Sequence, residues 1–287
     1  MLALVLSTVF SAAFGLLIRT AQGLGANLTA VGAVNYLTAA IVNLAIALIA
    51  GSPAPGPLGF AIGVPGGITY ATAFFAVYLL TRSHGASVTG AVMRLSSVIP
   101  VAASLLLWGE RIDAWQAAGA ALAMASLPLL SFRIAPAAAG EAAPAGPKRR
   151  GWLVPGLFAI NGMCLLVTRT WQQTGITGSD SSFLVVVFGA AALTAWTVWA
   201  LQRRGIRWLD VACGVAVGAS NAVSNLFTVK ALHVMPGTVV YPFYSAIGLV
   251  IVVAVSRVAW RERFGRLGTA GIAIACAAIV LVNLGSR

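Results

Sequence analysis

Acidic side chains are scarce in this chain, six Asp and Glu against 18 Lys and Arg in 287 residues. Glu110, Asp113, Glu141, Asp180, Asp210 and Glu262 all fall between the long apolar runs or at their ends, so the paired carboxylates that hold magnesium in lipid-processing enzymes are missing. Histidine is scarcer still: His84 and His233 stand near no acid in the sequence, which leaves no evident acid–base pair. The three cysteines, Cys164, Cys213 and Cys276, sit inside apolar runs rather than in the loops where a disulfide framework or zinc site needs them, and they read as packing residues. Charge of either sign makes up 8% of the residues, 60% are apolar, and the mean hydropathy is +0.94, which excludes a soluble domain.

What the chain does have is long apolar runs. A bilayer core about 30 Å thick needs roughly 20 apolar residues per helix, so a chain of this length holds about ten. Helices are expected near 2–18, 29–50, 57–80, 86–108, 114–132, 152–169, 181–201, 209–230, 237–260 and 267–285. The run from Leu2 to Leu17 has no basic stretch before it and no small-residue cleavage site after it, so it reads as the first membrane helix rather than a signal peptide. The linker from Arg133 to Arg150, rich in Ala, Pro and Gly, divides the ten helices into 1–132 and 151–287. The net charge of +12 lies in short loops and never gathers with stacking aromatics on a polar surface, so it marks topology and not a nucleic-acid partner.

The two halves repeat each other. At an offset of 152, residues 62–125 align with 214–277 without a gap, placing Gly66, Phe75, Gly85, Trp108, Glu110, Arg111 and Gly119 on Gly218, Phe227, Gly237, Trp260, Glu262, Arg263 and Gly271. At an offset of 150, Arg19, Thr20, Gln22 and Gly25 meet Arg169, Thr170, Gln172 and Gly175. Five helices per half is an odd number, so the second half enters the membrane upside down. The expected fold is an all-α integral membrane protein of ten transmembrane helices in two inverted five-helix repeats.

A five-helix unit whose fourth helix ends in Trp-x-Glu-Arg, followed by an alanine-rich fifth helix with Gly119 or Gly271, resembles the EamA-type branch of the drug/metabolite transporter superfamily. The resemblance spans residues 2 to 285. It implies a ten-helix basket around a central cavity, lined mainly by the third, fourth, eighth and ninth helices, that works by alternating access without ATP and without a cofactor. Glu110, Arg111, Glu262 and Arg263 lie at helix ends, where a Glu–Arg pair anchors a terminus, and a structural role is expected for them.

Polar residues inside apolar runs are the substrate-contact candidates, because a charge near the bilayer centre costs about 2.5–3.5 kcal/mol even on insertion scales. Arg94 lies about 13 Å into the fourth helix at 1.5 Å per residue, and its repeat counterpart is Ala246, so repeat packing does not require it. It reads either as an arginine bound to backbone carbonyls between helices or as a cavity-facing anion site. Lys230 and Arg257 stand nearer the interfaces and are expected to snorkel. Asn221, Ser224, Asn225 and Thr228 recur at three- and four-residue spacing on the eighth helix, which gives either a cavity lining or hydrogen-bonding glue between helices. Tyr241, Tyr244, Ser245 and Gly248 form a similar face on the ninth helix beside Pro242, and Tyr70, Phe74 and Tyr78 an aromatic one on the third. Trp152, Trp196 and Trp199 read as belt residues.

A cationic substrate usually needs an intramembrane carboxylate, and here only Arg94 is on offer. The substrate-binding residues expected are therefore Arg94, Tyr70, Asn221, Ser224, Asn225, Tyr241 and Tyr244, no residue is catalytic, and no metal or cofactor is expected. The expected function is secondary transport, in the export direction, of a neutral, zwitterionic or anionic metabolite of the amino-acid or organic-acid type. Alternatives are a multidrug exporter of cationic compounds and a membrane-embedded lipid-modifying enzyme; a non-transporting receptor would explain neither the duplication nor the polar faces. The partners are a small molecule and the lipid bilayer, with the chain as monomer or homodimer in a bacterial cytoplasmic membrane. The loop arginines place the linker inside the cell and both termini outside by the positive-inside rule, whereas the family resemblance suggests cytoplasmic termini.

Overall fold

The computed structural model describes residues 2–84, 86–111, 113–131, 152–202 and 205–259, together with 270, 273–274, 277–278 and 281. The linker 133–150, Trp260, Glu262, Arg263, Gly271, Cys276 and most of the expected tenth helix lie outside the described residues. Every element among those described is helical: α1 (Leu2–Gly23), α2 (Leu28–Ile49), α3 (Gly56–His84), α4 (Ala86–Leu95), α5 (Val98–Leu106), α6 (Ala114–Ser131), α7 (Leu153–Gln173), α8 (Asp180–Leu201), α9 (Trp208–Val234) and α10 (Gly237–Ala259). Of these, α1, α2, α3, α7, α8 and α9 are long and apolar enough to cross a membrane, where a helix satisfies its own backbone. On α2, Leu37, Ile41, Leu44 and Leu48 are exposed at helical spacing, a stripe suited to lipid.

The first nine expected segments are all met by helices, with two kinds of difference. Helices α1 and α7 run four or five residues past the apolar stretch, because Arg19 to Gln22 and Thr170 to Gln173 continue the helix with polar side chains that hydropathy alone reads as loop. Their ends then match: Gly25 and Gly175, paired by the repeat, both turn out of the helix in the left-handed region, at φ 67° and 71°.

The second difference is a break in the fourth expected helix. Pro100 has no N–H to give the Ser96 carbonyl, which accepts instead from Ile99 at 3.0 Å. Ser96 and Ser97 turn their hydroxyls back onto the carbonyls of Met93 and Arg94, at 2.7 and 2.8 Å. Asn161 of α7 also donates to the Met93 carbonyl, at 3.0 Å, so the carbonyls at the end of α4 are satisfied before α5 starts at Val98.

The chain forms two compact units, each drawing helices from both sequence halves. In the first, residues 1–75 and 163–234, α2 packs against α8 and α9, and α9 against α1. Two close approaches set the spacing. A Cβ on Gly218 of α9 would stand 2.4 Å from the Asn35 carbonyl oxygen of α2, and one on Gly67 of α3 would stand 2.2 Å from the Val187 carbonyl oxygen of α8. Gly214 and Gly63, each four residues earlier, complete two small-xxx-small faces of the kind that bring membrane helices together. Around these contacts Tyr36, Phe74, Trp171, Phe183 and Phe188 fill the core.

In the second unit, residues 76–162 and 235–287, α10 packs on α6 and α5, and α4 on α6. Its apolar centre is small, Leu80, Val92, Leu153 and Leu157, with Met93 and Phe158 against it.

Candidate functional site

In the first unit a directional chain of hydrogen bonds crosses three helices. The Tyr70 hydroxyl of α3 donates to Asn225 Oδ1 at 2.8 Å, Asn225 Nδ2 donates to Asn221 Oδ1 at 2.8 Å, and Asn221 Nδ2 donates to Asn35 Oδ1 of α2 at 3.2 Å. Every link runs in one sense, so the chain ends on a donor, Asn35 Nδ2, which is fully buried and without a partner among the described residues. Tyr36 supports the other end, giving its hydroxyl to the Tyr70 backbone carbonyl at 2.7 Å. The structure thus brings Tyr70, Asn221 and Asn225 together and adds Asn35. Nothing in the polar spacing of α9 pointed to Asn35; its signal was an amide inside an apolar run.

The other half of the polar face on α9 is used differently. Ser224 donates to the Ser7 carbonyl at 2.9 Å, the Thr228 hydroxyl meets the Ser7 hydroxyl at 2.8 Å, and Ser220 donates to the Phe10 carbonyl at 3.0 Å. These bonds stitch α9 to α1, the glue that competed with cavity lining as a reading of this face. Trp196 and Trp199 pack edge to face, 5.2 Å between ring centres, with both indole nitrogens buried and unpartnered. Lys230 is exposed, its Nζ 5.8 Å above the Phe227 ring.

In the second unit Arg94 lies in the last turn of α4, just before the break, and reaches across to α10. Its guanidinium occupies the space a Cβ on Gly248 would take: such an atom would stand 2.5 Å from Nη1. Tyr244, one turn earlier on α10, lies within electrostatic reach. Among the described residues no hydrogen bond or ion pair holds the guanidinium, although the helix terminus it follows favours a cation. Tyr241 and Ser245 are buried in the packing of α10. The side chain of Arg257 lies outside the described residues.

Glu110 of the Trp-x-Glu-Arg motif has a defined task. Gly109 takes φ 57° after α5 and turns the chain back, so that the Glu110 carboxylate accepts from Gly237 N at 2.8 Å, Thr238 N at 3.0 Å and the Thr238 hydroxyl at 2.9 Å. It caps the start of α10, where the unpaired N–H groups and the helix dipole both favour a carboxylate. Arg111 is exposed beside it. Asp210 does comparable work in the first unit, accepting from Asn27 N at 2.7 Å and from Arg207 N at 2.9 Å.

One expectation from the sequence fails. His233 does stand near an acid: its Nε2 lies 3.0 Å from Asp180 Oδ1, across 53 residues of chain. Separation in the sequence hid the pair, and the absence of an acid–base pair is no argument against an enzyme here.

These features define an all-α, multi-pass membrane protein. Residues 1–132 match the model of the EamA-like transporter family, a family of the drug/metabolite transporter superfamily. No curated protein matches the chain. A protein known from its crystal structure is similar over 99% of this chain and 98% of its own, with a TM-score of 0.71 at 15% identity, a likeness of fold alone.

Proposed function

We propose that this protein is a secondary transporter that exports a small neutral, zwitterionic or anionic metabolite, of the amino-acid or organic-acid type, by alternating access across a bacterial cytoplasmic membrane. One observation carries the substrate class: Arg94, in an apolar helix, presents a guanidinium that no described residue neutralises, laid against the side-chain-free surface of Gly248. Burying such a group costs free energy unless an anion meets it, and a carboxylate matches its fork of donors. The position just before a helix break adds support, since broken membrane helices commonly line binding sites. The protein acts as a monomer or homodimer. Tyr70, Asn221, Ser224, Asn225, Tyr241 and Tyr244 are proposed polar contacts, to be tested position by position.

The cationic alternative requires a carboxylate to receive the substrate. Glu110, Asp180 and Asp210 are each engaged at a helix end, which favours the anionic reading. The test is a thermal-shift screen of the purified protein with amino acids, organic acids and cationic dyes, run beside Arg94→Gln. A specific ligand stabilises the native state in proportion to the logarithm of its concentration over its dissociation constant. Carboxylate metabolites are expected to shift the wild type and not the variant; equal shifts of both proteins by dyes alone would overturn the substrate class.

A further inference from the structure

Three helix ends in the first unit meet around a carboxylate that substrate binding does not use. Asp180 opens α8, and its Oδ1 faces both His233 Nε2, in the last turn of α9, at 3.0 Å and the indole N–H of Trp171, near the end of α7, at 3.1 Å. Trp171 is fully buried and stacks on Phe183, 4.3 Å between ring centres and 2° from parallel, so the indole is fixed and holds the carboxylate in place. The side chains of Asp180 and His233 are 13% and 21% exposed, which shelters the pair yet leaves a route for a proton. Repeat packing does not account for the cluster, because the two offsets place Ala21, Ala30 and Thr81 at its three positions.

The other charges on the surrounding helices are few. Helix α7 carries Arg169, whose guanidinium donates to Gln172, and α9 carries Lys230, exposed above Phe227. At its far end α9 also has Asp210, already bonded to Asn27 and Arg207. Among the described residues, α8 has no second charge, α2 has none, α1, which packs on α9, has Arg19 alone, and the start of α3 brings Pro55 and Gly59 toward Trp171.

We propose that His233 and Asp180 bind the proton that drives transport, and that the bound proton fastens the start of α8 to the end of α9. This rests on the transporter reading. In the tautomer that carries its hydrogen on Nε2 the ring donates to Asp180 Oδ1, so an arriving proton adds at Nδ1 and the contact becomes an imidazolium–carboxylate pair without any bond breaking. Each charge then sits at the helix terminus that favours it, the anion at the start of α8 and the cation at the end of α9. Imidazole is the side chain whose ordinary range covers the pH difference across an energised membrane.

The experiment uses the full chain in nanodiscs, as wild type, His233→Gln, Asp180→Asn and, as a packing control, Trp171→Phe. Hydrogen exchange at the start of α8 and the end of α9, corrected for intrinsic rate, is followed from about pH 5 to about pH 8. Protection is expected to fall as pH rises in the wild type and in Trp171→Phe, and to be flat in His233→Gln and Asp180→Asn. A flat wild type, or an unchanged pH response in His233→Gln, overturns the proposal. A mixture of the standard amino acids is then scored by thermal shift at both ends of the range. Coupling predicts an apparent affinity that changes by about tenfold with pH in the wild type and is constant in His233→Gln. Equal affinities at both pH values in both proteins overturn coupling. A mixture that shifts no protein counts against the Arg94 reading instead, and the exchange data alone then decide the proton site.

Discussion

Helices α9 and α10 both carry polar faces of the same apparent design, yet they serve different ends. On α9 every hydroxyl and amide from Ser220 to Thr228 is committed to a neighbour, toward α1 on one side and toward Asn35 and Tyr70 on the other. On α10 the face is defined by what is missing, the side chain of Gly248, and the space goes to an arginine that finds no partner among the described residues. Polar spacing on a membrane helix therefore does not distinguish a seam from a site. What distinguishes them is whether the partners are already present, because a committed donor has nothing left for a ligand.

The largest effect separates two identical substitutions. Gly218→Ala drives a methyl against the Asn35 backbone carbonyl, which α2 cannot withdraw, and is expected to cost about 3 kcal/mol, read as a large fall in melting temperature in detergent. Gly248→Ala meets the tip of a flexible arginine, so stability is expected to stay within about 1 kcal/mol of wild type while the thermal shift by carboxylate metabolites is lost. Should both variants melt alike, the contrast between seam and site is wrong. Next comes Asn221→Leu, which strands Asn35 Oδ1, leaves Asn225 Nδ2 only the Asn221 backbone carbonyl, and is expected to cost about 2 kcal/mol. Glu110→Gln removes the charge and one acceptor from the start of α10; about 1 kcal/mol is expected, with denaturant titration as the measurement.

Much of this fold could be read from the chain because a bilayer leaves few solutions: an apolar run of about 20 residues has to be helix. Hydropathy is a poor proxy for backbone geometry: it ends α1 near residue 18 although Arg19 to Gly23 remain helical, and it does not register the break at Ser96, which Pro100 and the two serines carry. The site was legible in part. Arg94 stood out because a charge in an apolar run is costly wherever the fold puts it. Asn35, Glu110 and the pair of Asp180 with His233 take their meaning from partners far away in the chain, and no local pattern encodes those distances.

The smallest effect is the most discriminating. The spacing of Ser224 from Asn221 and Asn225 suggests a substrate contact, but its hydroxyl is given to the Ser7 carbonyl. Hydrogen bonds of this type between membrane helices contribute about 0.6 kcal/mol on average, since the separated helices find other partners. Ser224→Ala should therefore lower stability by about that amount and leave the Arg94-dependent thermal shift at its wild-type size. Tyr70→Phe, which empties the acceptor on Asn225, tests the other side of the same helix: it should lower stability by about 1 kcal/mol, and if that network contacts substrate it should weaken the ligand response as well. A Ser224→Ala protein that keeps its stability and loses its ligand response would move Ser224 from the seam to the site, and the division of α9 into two faces would then have to be redrawn around it.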